Sequence, residues 1–239
     1  MSAVEPVEPQ HTDTAGSPGT PLFTAYGDNS PFAEAYRSLR VSLFSGNGAS
    51  PRLLGMTGAA PRHGSSTTAA NFGLIMGETG TQVVLVDADL YRPSLHRFFN
   101  LPNTVGLSSV LAGDVRLSDA LQPITPPSRL KLLAGGPATQ NPAALMRPER
   151  MKSIFDELRS QAELVVVDLP SVSSVAYTSQ LATMLDGIVL VLLAGAEPSD
   201  VDRLVRRRLK GSQLVGIVLN RVPLRGSDAT PYRHYADLK

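Results

Sequence analysis

Met56-Thr-Gly-Ala-Ala-Pro-Arg-His-Gly-Ser-Ser-Thr-Thr68 links an apolar run, Arg52 to Thr57, to a segment of helical period near Ser65–Glu78. The link has the frame of a phosphate-binding loop. A small residue (Ala59) is followed by four variable positions, then Gly64, then the hydroxyls of Ser66 and Thr67 as the helix opens. Backbone N–H groups of such a loop, with the positive end of the helix behind them, hold phosphate oxygens. Ser66 would offer its hydroxyl to Mg²⁺, and the lysine slot between Gly64 and Ser66 is filled by Ser65. A loop of Gly, Ser and Thr is also a common plain connection, so the surrounding strands have to decide.

Those strands are legible. Gln82–Asp87 (QVVLVD), Glu163–Asp168 (ELVVVD), Gly187–Ala194 (GIVLVLLA) and Leu214–Leu219 (LVGIVL) are short apolar runs of the kind buried on both faces of a sheet, and Leu130–Leu133 reads as another strand. Helical stretches alternate with them: Phe32 to Phe44, behind a Ser30 cap and Pro31; Pro148–Gln161; Val175–Leu185; and Pro198–Lys210. Shorter helices are predicted at Leu95–Phe99, Leu107–Leu111 and Leu117–Leu121. This alternation predicts an α/β three-layer fold, a mostly parallel twisted sheet covered by helices on both faces. The ordered domain spans 29–223. Residues 1–28 are too polar and proline-rich to bury a core and read as a disordered arm, and 224–239 read as a flexible tail.

Ligands of such folds bind beyond the carboxyl ends of the parallel strands. One strand there ends in Asp87-Ala-Asp89 and another in Asp168, each directly after apolar residues. A carboxylate at the lip of a buried strand costs desolvation unless a cation or hydrogen-bond donors compensate it. Three of them beside a phosphate-type loop point to an Mg²⁺–nucleotide site.

Composition narrows the classes further. The 239 residues are 42 % hydrophobic and 18 % charged, with a net charge of +1, which argues against a generally basic nucleic-acid binder. The absence of cysteine excludes disulfides, thiolate nucleophiles and cysteine-ligated metals. The longest apolar run, Gly187–Ala196, is far short of the roughly 20 residues that span a bilayer. With no signal-like N-terminus, a soluble cytoplasmic protein without a membrane span is expected.

In order along the chain, the motifs resemble those of the bacterial tyrosine kinases (BY-kinases), within the P-loop group that includes the Min- and Par-type ATPases. Glu34-Ala-Tyr-Arg37-Ser-Leu-Arg40 is similar to the family's Glu-x-x-Arg-x-x-Arg segment, and Pro61 with Gly64–Asn71 to its Walker A region. Val84–His96 resembles the family's second Walker-type motif, and Leu164–Pro170 its Walker B. Gly106–Gly113, Asn141-Pro142 and Gly216–Val222 follow in family order. The resemblance implies that Ala60, Pro61, Arg62, His63, Gly64, Ser65, Ser66 and Thr67, with Asn220 and Arg221, hold ATP or ADP. It also implies that Ser66, Asp87 and Asp168 arrange Mg²⁺, with Asp89 supporting the metal or helping to activate a tyrosine hydroxyl. Glu34, Arg37 and Arg40 would make ring-forming contacts between subunits, and Tyr232 and Tyr235 would be the phosphorylated tail tyrosines. The implied setting is capsular or exopolysaccharide assembly, at the inner face of the cell membrane, through a membrane-bound chain-length regulator that activates the kinase.

The departures from the family pattern cluster at this site. Ser65 replaces the lysine, Arg62 stands where relatives usually carry glycine, and Tyr91 takes the position of an arginine. Leu169 replaces a threonine and Ser171 a proline. No lysine occurs before Lys131, so Arg62 is the only strong cation near the loop in sequence. Two readings follow: a working or weak autokinase in which Arg62 or a partner residue replaces the lysine, or a pseudokinase, a nucleotide-binding scaffold. The clustered losses favour the second. A partition-type ATPase acting on DNA or cell-division machinery shares the fold but leaves Glu34–Arg40 without a role.

Overall fold

Apolar runs that end in small or acidic residues become strands, and the segments between them fold back as helices on either side. A computed structural model describes residues 30–45, 50–127, 129–139 and 141–222, with Leu22 and Thr24. Tyr232, Tyr235 and almost all of the arm read as disordered lie outside the described residues. Leu22, within that arm, is half-buried and packs against the core.

The strands are β1 (Leu53–Gly58), β2 (Val83–Asp87), β3 (Leu121–Ile124), β4 (Leu130–Leu133), β5 (Leu164–Asp168), β6 (Gly187–Leu193) and β7 (Leu214–Asn220). They form one seven-stranded sheet in the order β3-β4-β2-β5-β1-β6-β7. Every pairing is parallel except β3 with β4. The helices are α1 (Pro31–Phe44), α2 (Ser65–Glu78), α3 (Leu95–Phe98), α4 (Leu107–Ala112), α5 (Leu117–Ala120), α6 (Pro142–Leu145), α7 (Pro148–Gln161), α8 (Ala176–Ala182) and α9 (Pro198–Arg208). The mostly parallel sheet between two helical layers is thus the arrangement predicted from the alternation of runs.

Two apolar clusters, one on each face, hold the layers. On one face Ala33, Tyr36, Phe72, Ile75 and Leu95 of α1, α2 and α3 pack onto the sheet. On the other, Leu107, Leu111, Met151, Phe155, Leu158, Tyr177, Leu181 and Leu209 do so. The Ser30 side chain caps α1 by accepting from the Ala33 N–H at 3.1 Å, with Pro31 in the first turn. Helix α2 lies close on β2 because Gly73 faces Leu85: a Cβ at Gly73 would fall 2.7 Å from Leu85 Cδ2. Phe72, beside it, is fully buried and stacks on Phe44 of α1 at 6.3 Å between ring centres.

The structure departs from the predicted elements in two places. The helix expected over Leu117–Leu121 stops at Ala120, and Leu121–Ile124 forms the antiparallel edge strand β3. Pro123 is tolerated there because an edge strand leaves one row of its N–H groups unpaired. The four-residue helix α6 was not predicted; the Asn141 side chain caps it by accepting from Ala144 N–H at 3.2 Å.

Truncating Phe72 leaves a void between α1, α2 and the sheet. Phe72→Ala is expected to lower unfolding stability by about 3–5 kcal/mol. Urea denaturation would show this as a lower midpoint at an unchanged m value.

Candidate nucleotide and metal site

Gly64 opens α2 at φ 95°, a left-handed conformation that glycine adopts freely. A side chain there would also meet a neighbour, since a Cβ would lie 2.1 Å from Asn220 Nδ2. That amide donates to the His63 carbonyl at 3.0 Å, and His63 Nδ1 accepts from the Leu193 N–H at 3.3 Å. The loop is therefore tied to the carboxyl ends of β6 and β7. The first turn of α2 closes with Thr68, whose N–H and hydroxyl both donate to the Gly64 carbonyl at 2.9 Å. Arg62 sits at φ 66°, a left-handed position that disfavours any side chain and suits glycine.

Beneath the loop, Asp87 and Asp168 stand side by side, as direct register partners at the ends of β2 and β5. Both are buried. Asp87 is well provided with donors: Oδ1 accepts from Asp89 N–H at 3.2 Å, and Oδ2 from Ser94 N–H at 2.8 Å and Leu95 N–H at 2.9 Å. Burial pushes its carboxyl up to about 7, opposed by the Leu95 and Ser94 N–H groups and reinforced by Asp89. Asp168 differs, because neither of its buried carboxylate oxygens has a hydrogen-bond partner. Burial, and then the Asp87 charge, push its carboxyl well above the ordinary range, and the Ser66 hydroxyl beside it opposes the rise. Asp89 is also raised, by burial, against the Arg92 and Tyr91 N–H groups that its Oδ1 accepts at 3.0 and 3.1 Å.

Two buried carboxylates with no cation between them constitute an uncompensated negative site. Magnesium suits it, because that ion takes one or two carboxylates and completes its shell with water and phosphate oxygens. Ser66, Asp168 and Asp87 are the residues that would hold it, with the open lone pairs of Asp168 as the direct sign of fit. Among the described residues no group of three His, Asp or Glu side chains makes a self-sufficient metal cage.

Above the carboxylates a cavity of about 770 Å³ opens. Ala60, Pro61, Arg62, Ser65, Ser66 and Asp89 line it, as the sequence reading grouped them. His63, Gly64, Thr67, Asn220 and Arg221 do not, nor do the buried Asp87 and Asp168, whose neighbours Ser66, Ser94 and Leu169 do. Asn220 stitches the loop from outside the cavity, and its Oδ1 accepts from the Arg221 N–H at 2.9 Å. Tyr91, Leu169 and Ser171, singled out in the sequence as departures from the family pattern, form a further wall with Pro170, Ser174 and Tyr177; the stacking of the Tyr91 ring on Tyr177 at 6.1 Å was not read from the sequence. The Tyr177 hydroxyl donates to the Ala88 carbonyl at 3.1 Å, which anchors that wall to the end of β2. Tyr177 lies within the helix expected over Val175–Leu185, and only tertiary packing brings its ring to the cavity. The segment Glu34–Arg40 lies on α1. There Arg37 pairs with Glu34 of the same helix at 3.4 Å, and the buried Arg40 Nε lacks a partner.

No protein-family model matches the chain. It is 34 % identical over 191 residues to the tyrosine-protein kinase YwqD of Bacillus subtilis, covering 79 % of this chain and 80 % of YwqD. This chain belongs to the bacterial tyrosine-protein kinases. The putative tyrosine-protein kinase in the cps region of Klebsiella pneumoniae is 30 % identical over 192 residues, which are 79 % of this chain and 26 % of that one. The kinase domain of the Escherichia coli tyrosine kinase ETK superposes with a TM-score of 0.81 at 26 % identity, over 90 % of this chain and 85 % of that one. The septum site-determining protein MinD of Pyrococcus horikoshii, solved with Mg-ADP, has the same fold (TM-score 0.60, 22 % identity, 79 % of this chain and 78 % of that one). No helix among the described residues of this BY-kinase is long and apolar enough to cross a membrane.

The unpartnered Asp168 makes a specific prediction. A carboxyl raised by burial binds its proton more tightly in the folded chain than in the unfolded one, so metal-free stability falls as pH rises from about 4 upward. Asp168→Asn removes that charge at nearly constant volume. Without Mg²⁺ its Tm is expected to exceed the parent's by several degrees at pH 8, the gain shrinking toward pH 5. With Mg·ADP added, the parent should be stabilised and the variant not; thermal scans at both pH values check both expectations.

Proposed function

We propose that this BY-kinase binds Mg·ATP and Mg·ADP in the cavity above Asp87 and Asp168. In this reading it serves capsular or exopolysaccharide assembly as a nucleotide-dependent scaffold with feeble or absent kinase turnover. One observation carries the reading: a buried carboxylate pair with open coordination lies beneath a phosphate loop whose lysine slot holds Ser65. The residues can still bind nucleotide. Backbone N–H groups of the loop at the start of α2 take phosphate oxygens, and Ser66 with Asp168 and Asp87 holds the metal, which neutralises phosphate charge when bound. What is missing is the positive charge next to the transferring group, and comparable electrostatic donors are worth about 10²–10³ in rate.

A second reading has one observation in its favour. Arg62 lines the cavity and pairs with no acidic side chain among the described residues, and a guanidinium can grip two phosphate oxygens at once. In that reading Arg62 and Asp89 complete a weak autokinase, with Asp89 receiving the proton of an incoming tyrosine hydroxyl. The acceptors would be Tyr232 and Tyr235, presented by a neighbouring subunit of a ring built through Glu34, Arg37 and Arg40. Both readings place the protein at the inner membrane face through a membrane-bound activator. The partition-type alternative has only the shared fold in its favour.

Substitution separates the two. With Mg·ATP and an antibody to phosphotyrosine, the parent protein is expected to give little or no signal. Ser65→Lys should raise it about 10²-fold or more. If the parent already signals strongly and Arg62→Ala abolishes the signal, the weak-kinase reading replaces the scaffold. If equilibrium dialysis finds no ATP bound with Mg²⁺ present, both fall.

A further inference from the structure

Helix α9 carries four cations, Arg203, Arg206, Arg207 and Arg208, with Lys210 just beyond it, and their pairing is uneven. Arg203 bridges to Asp200 at 3.3 Å and Arg206 to Asp202 at 2.8 Å, one turn back along the helix. Arg207 and Arg208 have no acidic partner among the described residues, and Arg208 is half-buried. Arg203, Arg207 and Arg208 line a second cavity, of about 410 Å³, with Asp200, Leu204 and Ser173. Ser173 belongs to the turn after β5, whose Ser171 and Ser174 line the nucleotide cavity; Ser171 donates to Ser174 there at 2.7 Å. The two cavities thus lie on either side of one short turn.

We propose that this second cavity is an anion site that takes a phosphotyrosyl side chain. Three guanidinium groups against one carboxylate leave two net positive charges, which match a phosphate monoester carrying about −1.5 to −2 at neutral pH. Guanidinium forks suit phosphate oxygens, and arginine clusters are a recurrent means of holding phosphorylated side chains. Ser173 adds a hydroxyl donor, and Leu204 supplies an apolar wall where the tyrosyl ring can lie. The concavity favours a single inserted side chain over a flat anionic membrane, which would meet the whole exposed helix equally. The weak-autokinase reading would supply phosphotyrosine from the chain itself, whereas the scaffold reading leaves it to another kinase; the binding rests on the arginines alone.

The test uses the full-length protein and a fluorescein-labelled synthetic peptide of Thr230–Lys239 with phosphate on Tyr232 and Tyr235, followed by fluorescence anisotropy. The phosphorylated peptide is expected to bind at least tenfold more tightly than the unphosphorylated one, with millimolar inorganic phosphate competing. Replacing both arginines, Arg207→Ala and Arg208→Ala, should erase that difference. Arg206→Ala, at a residue paired elsewhere and outside the cavity, should preserve it. Equal binding of the two peptides overturns the site, as does an undiminished preference in the double variant. Phosphatidylglycerol vesicles that depend on Arg207 and Arg208 while the phosphopeptide does not bind would assign the patch to a membrane and also overturn it. Because the peptide is phosphorylated synthetically, the outcomes separate from kinase activity. A chain that phosphorylates nothing yet binds the peptide upholds the site, and one that phosphorylates itself yet ignores the peptide refutes the site alone.

Discussion

Two carboxylates buried next to each other, with no positive side chain between them, set the terms for the rest of this protein. Asp87 and Asp168 are adjacent because β2 and β5 are adjacent and in register, and they are buried because helices cover both faces of the sheet. The fold lowers the cost at Asp87 with three backbone donors and leaves it standing at Asp168. An arrangement that stability alone would not favour therefore persists where a cation and a polyphosphate would relieve it. The loop above, the Ser66 hydroxyl and the aromatic wall of Tyr91 and Tyr177 are all placed relative to that pair.

In the proposed reading, a serine in the lysine slot has a different physical meaning from the one that the loss of a carboxylate would have. Removing an acidic side chain would dismantle the metal site; placing serine between Gly64 and Ser66 leaves the loop's backbone donors and the helix end in place. Binding and turnover draw on different parts of the site, so a chain can retain the first while forfeiting most of the second. Arg62 illustrates the constraint on any compensation. It occupies a left-handed backbone position in the loop and lines the cavity, so any charge it supplies comes from the loop rather than from the helix.

Much of the architecture was readable in the residues because burial on both faces leaves a plain mark. Val83–Asp87 and Leu164–Asp168 are unbroken apolar runs with acidic ends, and such a run has few other uses in a chain of this composition. Where that mark is weak, the reading failed: Leu121-Gln-Pro-Ile124 is short, half-exposed and carries a proline, so nothing local separates it from the helix before it. At the site, the loop and the carboxylates were legible because each is contiguous in sequence. The wall of Tyr91 on Tyr177 was not, since the two residues are far apart in the chain and meet only through the sheet. Asn220 is instructive in another way. The resemblance groups it with the nucleotide-binding residues, and the structure shows its amide engaged with the His63 carbonyl.

Gly73 sits two turns into α2, away from phosphate or metal, yet its missing methyl group lets the helix lie against Leu85. The same helix carries Ser66 in its first turn, and the same strand ends in Asp87. The spacing between that hydroxyl and that carboxylate is therefore gauged by one absent carbon, much as a shim fixes the gap between two machined parts. Any larger residue at this point would spread Ser66 and Asp87 apart without touching either.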